Sequence, residues 1–370
     1  MLQVRLLARA QKDTEKALSG LFLYKEKGAS HKIILLITKA VTKISHVLYS
    51  KLMELSVVWM LVGFLLAAYA VVGNDSIQTL GTYIASNQKI KWYYLWLYTA
   101  AILIITLSIS YFSGDIGDIA SGRLTKIPHV EILWYHVLAP LVLVFLTRVS
   151  IPASTSLLVL SAFASSLVFE SILLKSALGY IIAGGAGYVL WIVIYNWDNK
   201  KRPVPVEKEK IWRIFQWGAT GFLWYTWLAH DVANIAVFLP RELTILQFVA
   251  VLSVFVVGLG YILSQRGGRI QKVVMEKTST NYLRSATIID ITYALILLVF
   301  KEMNSIPMST TWVFIGLLSG RELAMFSRSK EYKFKHVFPI VGKDLLKLLF
   351  GLIVSIAIAL IIQNHEVLGF

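Results

Sequence analysis

The residues of this chain best suited to chemistry fall into two short patterns, and each pattern occurs twice. In the first, an aspartate is followed three positions later by a side-chain amide: Asp75 with Gln78, preceded by Asn74, and Asp231 with Asn234, preceded by His230. An ionised carboxylate is an acceptor only, and a nearby amide oxygen adds another, so the pattern suits a small cation or a proton. In the second, a proline opens a run rich in hydroxyls: Pro152-Ala153-Ser154-Thr155-Ser156 and Pro307-Met308-Ser309-Thr310-Thr311. Proline fits the first turn of a helix. A helix N-terminus offers unpaired amides and a partial positive charge, a combination that binds phosphate-like anions without a lysine.

The two patterns recur in the same order at nearly one spacing, 152 − 75 = 77 positions in the first copy and 307 − 231 = 76 in the second. What must position them is a series of apolar stretches long enough, or nearly so, to cross a hydrocarbon core of ~30 Å. They lie at about 55–73, 92–112, 132–149, 153–171, 175–197, 211–229, 243–263, 285–300, 308–326 and 346–363. The charged, proline-broken linker 198–210 divides them five and five. An odd number of spans per half reverses the direction in which the second copy enters the membrane. The expected fold is therefore all-α: a polytopic membrane protein of about ten helical segments in two inverted-topology repeats, residues 55–197 and 211–370, with broken helices at the midplane. Residues 1–54 alternate basic and apolar positions and predict an amphipathic segment on the membrane surface. By parity the basic loops 198–210, 264–284 and 327–347 share one side, the cytoplasmic one by their charge, and loop 113–131 faces the other. Counting back puts the basic segment 1–54 outside, against the same rule, unless a helix near 33–50 also crosses or one motif helix does not span.

Composition narrows the class further. Apolar residues make up 57% of the chain and the mean hydropathy is +0.67, against roughly 45–50% apolar in soluble domains, so lipid is the implied solvent. The net charge of +15 sits in short interruptions between apolar runs, which points to membrane loops and away from nucleic acid. With no cysteine, disulfides, thiolate metal sites and cysteine nucleophiles are excluded. Residues 1–30 lack the short apolar core of a secretory signal, which leaves targeting to the first spanning helices. No glycine-rich loop precedes a Lys-Ser or Lys-Thr pair, which argues against ATP-driven transport, and no Ser, His and Asp arrangement suits acyl transfer.

The Asn-Asp-x-x-Asn-type motif, the Pro-x-Ser-Thr-Thr motif, and Gly267-Gly268-Arg269-Ile270-Gln271 between them resemble the inorganic phosphate transporter (PiT) family. The chain looks like a divergent member, similar over about residues 55–363 and more sharply in the second half. The resemblance implies a symporter that moves inorganic phosphate or a similar oxyanion by alternating access, coupled to Na⁺ or H⁺, with no other cofactor and no enzyme activity. It implies that Asn74, Asp75, Gln78, His230, Asp231 and Asn234 form ion and phosphate sites, and that Ser154, Thr155, Ser156, Ser309, Thr310 and Thr311 give hydroxyls to the anion. A homodimer in the lipid bilayer, at the cell (inner) membrane, is implied with them. The sequence departs from the family pattern at His230 and Gln78, where the family has Asn, and at Leu157 and Trp312, where it often has His. Phe238-Leu239-Pro240-Arg241 replaces a glycine-containing continuation.

Beyond the motifs, Asp290 is a carboxylate inside an apolar stretch and a further candidate for a cation or proton, set against a polar pairing with a neighbouring helix. His136 beside Pro140 reads as a structural donor, Trp212, Trp217, Trp224 and Trp227 as interface belts and packing, and the glycines at 179, 184, 185 and 187 as sites of close helix approach. Arg321-Glu322 is either an ion pair at a helix end or a gate, and Arg241 either touches substrate or anchors a helix end. Two rival functions use the same residues: a membrane enzyme acting on phosphorylated lipid head groups through metal-assisted chemistry at Asp75 and Asp231, and a phosphate sensor that binds without transport.

Overall fold

In lipid every backbone amide must find its partner inside the chain, so apolar stretches of this length are forced into helix. The computed structural model describes residues 29–113, 115–149, 151, 153–200, 206–267, 271, 283–303, 307–328 and 334–364, and among these all regular structure is helical. The helices are α1 (Ala29–Ser86), α2 (Trp92–Phe112), α3 (Leu138–Arg148), α4 (Thr155–Leu158), α5 (Ser166–Lys200), α6 (Val206–Asp231), α7 (Ala233–Ala236), α8 (Ile245–Ser264), α9 (Leu283–Met303), α10 (Thr310–Arg328) and α11 (Phe334–Gln363). Short 3₁₀ turns, Trp134–Val137 and Leu160–Ala162, precede α3 and follow α4. The chain falls into two units, Met1–Val62 with Val130–Trp134, and Gly63–His129 with Tyr135–Phe370. In the first, Leu55, Val57, Val58 and Leu61 of α1 are exposed apolar side chains. The candidate site described below lies in the second.

Six segments are long and apolar enough to cross a membrane: Glu54–Ser76, Trp92–Phe112, Ser166–Ile194, Ile245–Ser264, Leu283–Phe300 and Val341–Gln363. They make the chain a multi-pass integral membrane protein. Four of the ten stretches expected from the sequence are not among these six. The stretch 153–171 is no continuous span: it is the four-residue α4, a 3₁₀ turn, and the start of α5. Residues 132–149 form a short apolar helix, Trp134–Arg148. Residues 211–229 and, of 308–326, those from Thr310 on are helical, in α6 and α10, but carry Gln216, Thr220 and Thr226 on the first and Ser319, Arg321 and Glu322 on the second, all buried. A helix enclosed by protein can hold polar groups that a lipid-facing one cannot.

Close helix contact explains several glycines. A Cβ at Gly320 of α10 would stand 1.9 Å from the Gly184 carbonyl oxygen of α5, and one at Gly316 2.4 Å from that of Tyr180. From the other side, a Cβ at Gly187 would meet the Leu317 carbonyl at 2.4 Å, whereas Gly185 faces open space. Only glycine lets the two backbones approach this far. Beside that contact, Arg321 and Glu322 form a buried ion pair at 2.6 Å, with the guanidinium 5.0 Å from the centre of the Trp191 ring. Indole and phenol donors tie α2 to its neighbours: Trp224 Nε1 to the Thr99 carbonyl at 3.0 Å, Tyr98 to that of Trp217 at 2.6 Å, and Trp96 Nε1 to that of Val256 at 2.9 Å. Trp224 and Trp227 stack on each other, buried, and serve packing.

Candidate functional site

Each motif reaches the site from a differently built element. Asp75 lies within the unbroken α1, whereas Asp231 is the last residue of α6, with Asn234 on the single turn α7. The hydroxyl motifs reverse this: Thr155 opens the four-residue α4, and Thr310 opens the 19-residue α10. In both hydroxyl motifs the serine caps the helix, Ser154 Oγ accepting from Leu157 N–H at 3.1 Å and Ser309 Oγ from Trp312 N–H at 3.2 Å. Pro307 is described and buried, and Pro152 lies outside the described residues.

The contacts then match pair by pair. Thr155 donates its hydroxyl hydrogen to Asp75 Oδ2, and Thr310 donates to Asp231 Oδ2 at 2.6 Å. Asn74 Nδ2 donates to Asp75 Oδ1 at 2.6 Å, and Asn234 Nδ2 to Asp231 Oδ1 at 2.7 Å. Two bonds are exchanged between the hydroxyl motifs, from Ser156 Oγ to the Met308 carbonyl at 2.9 Å and from Thr311 Oγ1 to the Ala153 carbonyl at 3.4 Å. Asn234 Nδ2 also donates to Thr155 Oγ1 at 2.9 Å, which closes an unbroken chain from Asp75 through Thr155 and Asn234 to Asp231 and Thr310.

All of these side chains are buried, and Asp231 and Asn234 are 0% exposed. Placing an ionised carboxylate in lipid costs at least ~2.5 kcal/mol, so two held together require compensation by charge or by donors. The hydroxyl and amide donors named above are each spent on a protein acceptor. Asn234 Oδ1, in contrast, finds no hydrogen-bond partner. The spare capacity is that of an acceptor, and what it can take is a cation or a hydrogen-bond donor. No group of three or more His, Asp or Glu among the described residues is placed to hold a metal ion, but an alkali cation takes carboxylate, hydroxyl and amide oxygens.

The protein has the fold of a solved phosphate transporter. The match is to a structure described as "The sodium-dependent phosphate transporter", with a TM-score of 0.57 and 16% sequence identity, over 84% of this chain and 99% of that one. No protein-family model matches the sequence, and no curated protein does.

Other sequence-predicted residues are placed elsewhere. His230 is buried, but its Nε2 pairs with the Leu297 carbonyl of α9 at 2.7 Å. The backbone of Gln78 is in α1, and its side chain lies outside the described ones. Asp290 forms a separate buried cluster, accepting from Thr82 of α1 and Thr220 of α6 at 2.6 Å each. From Thr220 polar contacts continue to Gln216 at 3.1 Å, from Gln216 to Asn87 at 3.0 Å, and from Asn87 to Arg213 at 2.7 Å. Of the glycine-arginine motif, Gly268, Arg269 and Ile270 lie outside the described residues, and Gln271 donates to the Gly81 carbonyl at 2.9 Å. Arg241 anchors a loop, donating to the Ile127 and Pro128 carbonyls at 3.2 and 3.3 Å.

Three kinds of site residue escaped the sequence reading. Thr79 donates to the Asp75 carbonyl at 3.1 Å, Ser176 Oγ accepts from Ser309 N–H at 2.8 Å, and Tyr293 donates to the Thr310 carbonyl at 2.9 Å. Helical spacing was the available signal for some: Thr79 and Thr82 follow Asp75 at i+4 and i+7, and Thr220 precedes Asp231 by eleven positions, each on the aspartate's face.

Proposed function

We propose that this protein is an ion-coupled secondary transporter of inorganic phosphate or a similar oxyanion, working by alternating access. The carrying observation is the continuous hydrogen-bonded chain that joins the two motif copies through Asp75, Thr155, Asn234, Asp231 and Thr310. In this reading residues 55–197 and 211–370 are inverted-topology repeats joined by the linker 198–210, and the copies meet near the membrane midplane. Residues 1–54 are a basic N-terminal segment, the part from Ala29 on continuing without a break into the helix that carries Asp75. The described residues belong to a dimer in the cell (inner) membrane, and the protein is no enzyme.

Na⁺ or H⁺ binds first, at Asp75, Asp231 and Asn234, with Asn74 and Gln78 beside them, His230 holding α6 in register, and Asp290 as a further cation site. The name of the structural neighbour favours Na⁺. Donor accounting supports this order: Thr155 and Thr310 are held by the carboxylates, and neutralising those carboxylates frees the hydroxyls to turn to an anion. Two bare carboxylates would also repel a dianion strongly in a low-dielectric cavity. Phosphate then docks on Ser154, Thr155, Ser156, Ser309, Thr310 and Thr311 at the two helix starts, and the halves rock around the occupied site.

The test is uptake of labelled phosphate into liposomes containing the full chain, with an inward Na⁺ gradient, a pH gradient or neither, and with sulfate and arsenate as competitors. Uptake driven by one gradient is the expected result. No uptake under either gradient defeats the symport reading, and binding without uptake marks a sensor.

A further inference from the structure

Asp290 stands apart from the two motif carboxylates, Asp75 and Asp231, and a residue outside both motifs lies between. Asp290, Tyr293 and Leu297 follow one another at i, i+3 and i+7 on α9 and so share a face. That face is tied to three helices. Asp290 accepts from Thr82 of α1 and Thr220 of α6, the Leu297 carbonyl pairs with His230 of α6, and the Tyr293 hydroxyl donates to the Thr310 carbonyl at the start of α10. Tyr293 thus bonds the residue whose own hydroxyl holds Asp231. Its ring is fixed, 1% exposed and 5.6 Å from that of Phe314 on α10. Thr82 and Thr220 sit on the helices that carry Asp75 and Asp231, so a change of charge at Asp290 acts on both.

We propose that Tyr293 is a positioning residue that couples occupancy of Asp290 to the Asp75–Asp231 pair. A cation or proton at Asp290 loosens the grip of Thr82 and Thr220, and α9 adjusts between α1 and α6. Tyr293 passes the adjustment to the Thr310 carbonyl and so to the hydroxyl that holds Asp231. Coupling of this kind needs contiguous packed groups with two discrete arrangements, and a phenol wedged against Phe314 and pinned to a helix start supplies the contact. The inference rests on the reading above that these carboxylates hold coupling ions.

Thermal melting of the detergent-solubilised full chain tests it without relying on transport. NaCl is titrated against choline chloride at fixed pH, and pH is titrated in choline chloride. Wild type should be stabilised cooperatively by one of the two cations, with a Hill coefficient above one. Tyr293→Phe keeps the ring and removes the hydroxyl; it should abolish the cooperativity and weaken apparent cation affinity about tenfold, within the usual range of coupling between sites. Asp290→Asn should do the same, and the double variant should be no worse than the weaker single. A Tyr293→Phe protein that melts lower with an unchanged cation response has lost only packing, and the proposal falls. Should that variant not fold, Asp290→Asn alone decides: retained cooperativity overturns the coupling. A wild-type protein indifferent to both cations defeats the ion-coupling reading itself, which the wild-type titration shows before any variant is made.

Discussion

The two motif copies make the same contacts from opposite construction. In the first copy the carboxylate sits on an unbroken 58-residue helix and its hydroxyls on a helix of four residues; in the second the carboxylate ends a helix and the hydroxyls open one of 19 residues. Threonine meets aspartate in both, and an amide meets the same carboxylate in both. What the copies share is therefore the bond and not the element that delivers it, as expected where chemistry fixes the side chains and packing fixes the rest. They differ at the amide. Asn74 binds its own Asp75 and the Ala153 carbonyl, whereas Asn234 reaches across to Thr155 of the other copy, and His230 turns to α9 instead.

Loss of a carboxylate should have the largest effect. Asp231→Asn leaves Thr310 and Asn234 without their charged acceptor, two hydrogen bonds each worth about 1.5–3 kcal/mol, and removes the charge that would hold a cation. Coupled phosphate uptake should fall to background, with the folded protein still present by size-exclusion chromatography. Asp75→Asn should match it. If one variant transports and the other does not, the copies are unequal in function despite their matching contacts.

The next step down is the hydroxyl. Thr155→Val and Thr310→Val each remove a hydrogen bond to a charged group, worth about 1.5–3 kcal/mol, so the phosphate concentration for half-maximal uptake should rise about ten- to a hundredfold. Thr155 also accepts from Asn234, so the first copy should suffer more. Equal losses would mean that the bridge between copies carries little. A third variant probes the packing between the copies: Gly320→Ala places a methyl 1.9 Å from the Gly184 carbonyl, and forcing α5 and α10 apart should lower stability by about 1–3 kcal/mol, read as a lower melting temperature.

Much of the paired site was legible in the sequence because both motifs repeat with nearly one spacing, and a repeat needs no alignment to be seen. Residues that occur once were not legible. Tyr293 stands in an apolar run, where an aromatic normally packs, and nothing local distinguishes a phenol that bonds the start of α10. Thr82 and Thr220 gain meaning only when Asp290 arrives from a distant part of the chain. The direction of His230 was hidden for the same reason, because its partner is a backbone carbonyl, a group every residue has. The stretches in α6 and α10 read as spans from their apolar residues, yet their polar residues keep both out of the six segments apolar enough to cross a membrane, and burial sets both helices apart.

The smallest effect distinguishes two loops that tie the copies together. One, from loop 113–131, rests on the second copy: Gly117 and Leu243 share a backbone bond at 3.1 Å, Tyr111 donates to the Leu243 carbonyl at 3.0 Å, and Arg241 holds Ile127 and Pro128. Its counterpart rests on the first copy, through Arg266 to the Ile90 carbonyl at 2.7 Å and Gln271 to that of Gly81 at 2.9 Å. Only the first of these carries a histidine next to its anchor. Partial desolvation, and then the neighbouring Arg241 charge, push the exposed His129 imidazole below its ordinary value of 6.5. A base whose charged form is disfavoured in the folded state contributes fully above the unfolded value, and that contribution is lost as pH falls from 6.5 toward the lowered one. Acidification from pH 7.5 to 5.5 should therefore loosen the loop 113–131 tie and leave the Arg266 tie unchanged. Hydrogen exchange of loop 113–131 should rise relative to residues 81–90 in wild type, and the difference should vanish in His129→Gln. Equal response of the two loops, or persistence of the difference in the variant, would remove His129 as its source.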